Sequence, residues 1–224
     1  DAGQVTDLPY STDYVDAGSS TSAVVLVKED GSLVHYGREI NEIGSDLPTH
    51  YLKDFSKVSI SSFGLGIRNG GYLETWGLGT STGTPSGFQG YGEVDDYPSG
   101  SGYVDVVATT YAGFALHESG TIEAWGADEG GIDDYGQVTE APTGSNFVKI
   151  DAASQVGLAL KEDGSIVGWG EDEDGVISDI PTGNNFVGIH VSNSYGYAVK
   201  DDGSIVGWGS SYAGDFDDIP VYKN

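Results

Sequence analysis

Cysteine is absent from this chain, and so is methionine. Without thiols there are no disulfides and no thiol chemistry. No apolar stretch approaches the roughly 18 residues that a membrane helix needs, so no helical span is expected. Basic residues are scarce: nine Lys and Arg stand against thirty-five Asp and Glu, a formal net charge of −26. Phosphate binding depends on clustered Lys and Arg, and none cluster here, which argues against nucleic acid as a partner. The chain begins at Asp1, so an initiator methionine, leader or longer N-terminal region is expected to have been removed or left out.

Excess acid with 38% hydrophobic residues has three readings: disorder, an acidic partner-binding surface, or adaptation to molar salt. Four Trp, fourteen Tyr and seven Phe, set in recurring apolar segments, argue against disorder. At about 1 M salt the Debye length falls to about 3 Å and screens self-repulsion, and abundant Asp suits a surface that must hold water. The expectation is a halophilic protein, working in a salt-rich cytoplasm or at a cell exterior.

What the chain has in excess is glycine, thirty-six of them with no triplet period. They fall inside a repeat. The copies read KEDGSLVHYG (28–37), RNGGYLETWG (68–77), HESGTIEAWG (117–126), KEDGSIVGWG (161–170) and KDDGSIVGWG (200–209). Their aromatics are Tyr36, Trp76, Trp125, Trp169 and Trp208, spaced 40, 49, 44 and 39 residues apart. Asp-Gly between two apolar runs signals a hairpin, because glycine accepts the positive φ that a tight turn demands. A strand precedes each hairpin (FVKID, 147–151, and its counterparts). A short proline-ended segment follows each: EIGSDLP (42–48), EVDDYP (93–98), QVTEAP (137–142), VISDIP (176–181) and DFDDIP (215–220). Read as four strands each, five units of about 40 residues make an all-β chain and a β-propeller, one domain with five blades of four antiparallel strands. An open row of hairpins or a solenoid is the alternative. The four Trp, fixed in phase, are expected to pack the core and not to form a sugar platform.

Repeat boundaries fall near 10–54, 55–102, 103–145, 146–184 and 185–224. Residues 1–9 carry a further copy of the proline-ended segment, so five hairpins come with six such segments. A terminal strand is expected to close the ring, supplied by either end; a fragment of a larger ring is the alternative.

Ala159-Leu160, Asp163-Gly164 and Trp169-Gly170, with Gly3-Gln4-Val5 and Gly136-Gln137-Val138, resemble the RCC1-like repeat family, which includes a bacterial propeller that inhibits β-lactamases. The resemblance covers almost the whole chain and implies a propeller, commonly of seven blades where five are present here. The family histidine is replaced by Ala23, Phe63, Ala112, Val156 and Tyr195. The nucleotide-exchange role of the founding member therefore does not carry over.

Alternating strand direction puts the loops after each Trp-Gly on one face with the loops between first and second strands. Scaffolded loops collect binding residues. Tyr111, Tyr135, Tyr91, Tyr195, Tyr212 and Phe88 offer aromatic area there, with Asp128, Asp133, Asp134, Asp172 and Asp174 between them. Aromatic tips amid hydrogen-bonding groups suit a protein or carbohydrate partner. The run EDEDG (171–175) invites a calcium reading, but Gly170 occupies the first ligand position and Asp179 comes too early for the last. Solvated acidic loops with a loosely held Ca²⁺ or Na⁺ are expected at most. No cofactor, metal spacing, serine elbow or phosphate loop is legible, and the four histidines occupy unrelated phases of the repeat. The leading expectation is a non-catalytic binding propeller. A salt-dependent hydrolase using carboxylates near the central channel, or a passive structural repeat of a surface adhesin, are the alternatives.

Overall fold

A computed structural model describes residues 12–37, 47–48, 53–77, 93–128 and 133–210. They form fifteen strands in five three-stranded antiparallel sheets, each ordered as in sequence. Blade 1 is β1 (Tyr14–Ser19), β2 (Ala23–Lys28) and β3 (Leu33–Gly37). Blade 2 is β4 (Phe55–Ile60), β5 (Gly64–Arg68) and β6 (Tyr72–Trp76); blade 3 is β7 (Tyr103–Ala108), β8 (Ala112–His117) and β9 (Ile122–Gly126). Blade 4 is β10 (Phe147–Ala153), β11 (Val156–Lys161) and β12 (Ile166–Gly170); blade 5 is β13 (Phe186–Val191), β14 (Tyr195–Lys200) and β15 (Ile205–Gly209).

The hairpin turn is one residue longer than a two-residue loop. Lys161 and Ser165 close it, with the Lys161 N–H donating to Ser165 at 2.9 Å and the Gly164 N–H to Lys161 at 2.9 Å. Gly164 sits at φ 81°, the left-handed position that a three-residue loop of this kind needs. Asp163 locks the turn by accepting from the Ser165 amide (2.9 Å) and hydroxyl (2.6 Å), which holds its carboxyl below the ordinary value. The recurring Asp-Gly-Ser is thus a local folding signal.

Each Trp lies over a glycine in the strand beside it. Gly157 faces Trp169 across the hairpin, and a Cβ on Gly157 would fall 2.2 Å from the indole. Gly64–Trp76, Gly113–Trp125 and Gly196–Trp208 repeat the pair, while blade 1 has Val24 facing Tyr36. The small residues of the second strand therefore make room for the blade's own ring, not for a neighbour's. The four Trp side chains are buried, as expected of core residues.

Sheets pack face to face in chain order. Leu158 and Leu160 on one side of β11 join Phe186, Ile189 and Val191 of blade 5, while Ala159 on the other side joins Phe114 and Leu116 of blade 3. A blade is therefore apolar on both faces, and every interface sets the second strand of one blade against the first strand of the next. The turn glycine reaches across as well: Gly31, Gly71, Gly120 and Gly164 accept from the amides of Phe55, Tyr103, Phe147 and Phe186 at 3.0 to 3.1 Å. First strands touch first strands in succession, β1 with β4, β4 with β7, β7 with β10 and β10 with β13, so they line a common axis.

A register shift after the first residue of every first strand marks a β-bulge. It turns Val15, Val104, Val148 and Val187 out to solvent.

Among the described residues no fourth strand is observed. The proline-ended segments at 93–98, 137–142 and 176–181 are turns. The Glu140 N–H donates to Gly136 and the Asp179 N–H to Gly175, the spacing of one helical turn. Val176, Ile177 and Ile180 all pack against the core between blades 4 and 5, and two adjacent residues on one side is a helical and not an alternating pattern. The turns latch the blades. Indole N–H groups of Trp125, Trp169 and Trp208 donate to the carbonyls of Glu93, Gln137 and Val176 at 2.9, 2.9 and 2.7 Å. The terminal copies expected to close the ring, at 2–9 and 213–220, lie outside the described residues, as do 42–46 and the loop 78–92.

Candidate functional site

The loops between first and second strands are short and hydroxyl-rich for a local reason. Ser20, Thr109 and Ser192 each accept from the amide three residues on, at 3.3, 3.1 and 3.3 Å, in turns that Ser and Thr close with their own side chains. The loops after Trp-Gly are pinned beside them: the amides of Ala127, Glu171 and Ser210 donate to Tyr111, Gln155 and Ser194 at 2.8 to 2.9 Å. Both loop sets therefore share one face, as strand direction requires.

At the centre of that face the five short loops surround a cavity of about 700 Å³. Its floor is Ile60, Ala108, Ala152, Ala153 and Val191, the ends of first strands. Its rim is Ser and Thr from blades 1 to 4 together with Ser192 and Asn193 of blade 5. Every blade contributes, and among the described residues no charged side chain lines it, in a chain of net charge −26. Rim groups tie neighbouring blades together: Thr110 Oγ1 and Ser154 Oγ are 3.0 Å apart, and the Ser154 N–H donates to Asn193 Oδ1 at 3.1 Å. Hydroxyls both donate and accept, so such a rim can match a polar, uncharged surface. A cavity of this size falls within the range of small-ligand sites, about 300–1,000 Å³.

Among the candidate residues, Tyr111, Asp133 and Tyr135 come together on blade 3. Burial raises the Tyr111 hydroxyl above its ordinary value, and the hydrogen-bonded Asp133 carboxylate adds to it. A buried Gln137 builds this corner, its side-chain amide donating to the Asp133 carbonyl at 2.7 Å while its oxygen accepts from the Tyr135 amide at 2.7 Å. Asp134 caps the same turn, accepting from the Gly136 amide at 3.0 Å. Tyr195 belongs to blade 5, where it packs edge-on against Tyr197 with ring centroids 5.3 Å apart. Asp128 and Asp174 are exposed.

Asp172 is a structural residue. Burial pushes its carboxyl up, yet donation from the amides of Ile177 (2.8 Å) and Ser178 (3.1 Å) wins and holds it below the ordinary value. Its oxygens are engaged in capping the helical turn that follows. Among the described residues no cluster of three or more His, Asp or Glu is arranged to hold a metal. Tyr91, Tyr212 and Phe88 lie outside the described residues.

The hydroxyl rim was not singled out from sequence. Its signal was present as Ser-Ser-Thr, Ser-Ser, Thr-Thr, Ala-Ser-Gln and Ser-Asn-Ser at one phase of the repeat, where only the neighbouring Tyr111 and Tyr195 drew notice. A second overlooked group is Asp151, which accepts from the Val191 amide at 2.9 Å and pairs with His190 Nδ1 at 2.8 Å on the strands just below the cavity.

No sequence family and no curated protein matches the chain. Solved structures do. Human WBSCR16 superposes over 90% of this chain and 63% of its own, at 14% identity and a TM-score of 0.68. The CRINKLY WD40 ectodomain of the Arabidopsis thaliana receptor kinase ACR4 covers 88% and 68%, at 21% identity and a TM-score of 0.67. Saccharomyces cerevisiae Prp20p, solved in a study of its binding to Gsp1p and histones, covers 88% and 58%, at 14% identity and a TM-score of 0.63. Another structure holds Kap60 bound to yeast RCC1, the same Prp20. This chain spans 63% and 58% of the WBSCR16 and Prp20p chains. At these identities the likeness is one of fold, and the fold is a β-propeller.

Proposed function

We propose that the protein is a non-catalytic binding module that holds a protein or glycan partner on its loop face, with the cavity rim as the anchoring point. The observation that carries this reading is the uncharged, hydroxyl-lined mouth to which all five blades contribute. The Tyr111–Asp133–Tyr135 corner extends the surface sideways, and Tyr195, Asp128 and Asp174 add to it from the other loops. A partner rich in hydroxyls or amides would exchange hydrogen bonds with the rim at little desolvation cost. The RCC1-type propeller of yeast has been solved with a protein bound, which agrees with a binding role for this scaffold. We further propose that the acidic surface is an adaptation to molar salt, and that a terminal segment completes the outer edge of a blade.

The test is binding to an oligosaccharide panel and to candidate protein ligands in about 2 M KCl. Saturable binding that weakens about tenfold or more in Thr110→Val/Ser154→Ala supports the reading. Binding indifferent to these substitutions contradicts it.

A second reading, a salt-dependent hydrolase, draws on the Asp151–His190 pair near the axis. Turnover of an ester or glycoside abolished by His190→Ala would favour it over the binding role.

A further inference from the structure

The five blades do not use their faces equally. Second strands of blades 1 to 4 are covered by the next blade: Val27, Ile67, Leu116 and Leu160 are buried, none more than 4% exposed. The equivalent residue of blade 5 is Val199, which is 38% exposed, and Ile205 opposite it is 39% exposed. The turn glycines of blades 1 to 4 meet backbone of the next blade, where a Cβ would come within 2.3 to 2.8 Å. Around Gly203 there is open space, and it carries no bond like that of Gly164 among the described residues. At the other end the first-strand face of blade 1 is Tyr14, Ala17 and Ser19. Ala17 and Ser19 are exposed where Val58 and Ile60 of blade 2 are buried. Among the described residues no contact comparable to those between successive first strands joins β13 to β1.

The two faces match in size. At two of the formed interfaces a bulky residue is answered by a small one: Ile60 of a first strand packs in one cluster with Ala23 of a second strand, and Phe63, immediately before a second strand, with Ala108 of a first. Blade 5 offers the bulkiest pair, Tyr195 and Tyr197, and blade 1 the smallest answer, Ala17 and Ser19. Close packing favours volumes that sum to a constant.

We propose that blade 5 of one copy receives blade 1 of a second copy, so that the protein associates head to tail. Val199 then becomes buried as Leu160 is and Ile205 partly buried as Ile166 is, and the Gly203 carbonyl accepts from an amide at the start of the incoming β1. The contact is heterologous, leaving one free face at each end of an assembly. Each copy brings a charge of −26, so association strengthens as salt screens the repulsion.

The experiment is molar mass by light scattering over a concentration series, in about 0.1 M and about 2 M KCl. Wild type is expected to form dimers and longer species at high salt. Val199→Asp/Ile205→Asp and, separately, Ala17→Arg are each expected to raise the dissociation constant about a hundredfold while leaving the melting temperature unchanged. Mixing the two variants should restore a species of two copies and no more, because each retains one intact face. Val148→Ser, on the exposed bulge, should associate like wild type and so exclude that ring of valines as the contact. A monomer at every concentration, with the seam substitutions lowering the melting temperature, would mean that the seam closes within one chain and would overturn the proposal. Failure of the mixture to pair would overturn it equally.

Discussion

Blades 1 and 4 carry the same hairpin, yet they differ at the two positions that couple a hairpin to its surroundings. In blade 4 Gly157 lets Trp169 lie flat on the sheet and bond to the Gln137 carbonyl of the preceding turn. In blade 1 Val24 and Tyr36 replace that pair, and the first strand shows Ala17 and Ser19 to solvent. Blade 4 is wedged on both sides, whereas among the described residues blade 1 is packed against a neighbouring blade on one side only. Repeat proteins gain stability largely through such nearest-neighbour contacts, so the end of the array can tolerate a polar face that its interior cannot. Blade 5 breaks the symmetry, since it too lies at an end but keeps apolar Val199 and Ile205 uncovered.

Removing the wedge should separate the blades most. Trp169→Ala is expected to cost about 3–5 kcal/mol in denaturant unfolding, with the Gln137 carbonyl left unpaired as well. Tyr36→Ala should cost less than half as much. Equal costs would mean that blade 1 is as tightly held as blade 4.

The turn glycines give a cleaner contrast, since Gly164 and Gly203 have nearly the same φ, 81° and 82°. Gly203→Ala should show only the strain of a left-handed Cβ, about 1 kcal/mol. Gly164→Ala adds a Cβ 2.3 Å from the Asn184 carbonyl oxygen and should cost about 1–3 kcal/mol more. The difference between the two isolates the blade interface from the turn itself.

The smallest effect concerns Asp151, which bridges blades 4 and 5 through the Val191 amide. Burial raises its carboxyl above the ordinary 3.8, against the opposing pull of the Val191 amide and His190. A raised folded-state value favours the fold fully below 3.8, and that contribution is lost as pH climbs through the raised value. Asp151→Asn is therefore expected to be more stable than wild type at about pH 7, by less than about 1 kcal/mol, and to lose that advantage near pH 3. Thermal melts at the two pH values decide it.

Much of this architecture is legible in the sequence because glycine and tryptophan mark fixed geometric needs. Asp163-Gly164-Ser165 announces the turn, and the alternation of Leu158, Ala159 and Leu160 announces a sheet apolar on both sides. The segment at 176–180 misleads because five residues with three apolar ones fit an alternating strand as well as a single helical turn. The bond from Asp179 to Gly175 and the packing of adjacent Val176 and Ile177 on one core tell them apart. Tyr111, Asp133 and Tyr135 are adjacent in space because Gln137 folds their loop, but Asp172 turned out to be a cap. The Ser and Thr rim passed for ordinary loop composition, since its meaning lies in five loops converging on one axis, a property of the five blades together and of no single repeat.

The claim on which the rest depends is that the tryptophan-bearing hairpins are held against neighbouring blades. Hydrogen exchange of the indole N–H groups, followed by NMR in high salt, tests it most directly. Trp125, Trp169 and Trp208, bonded to Glu93, Gln137 and Val176, should exchange at least about a thousandfold slower than a free indole, through opening of the blades. Exchange of all three near the free rate, in a protein whose hairpins remain folded, would contradict the account.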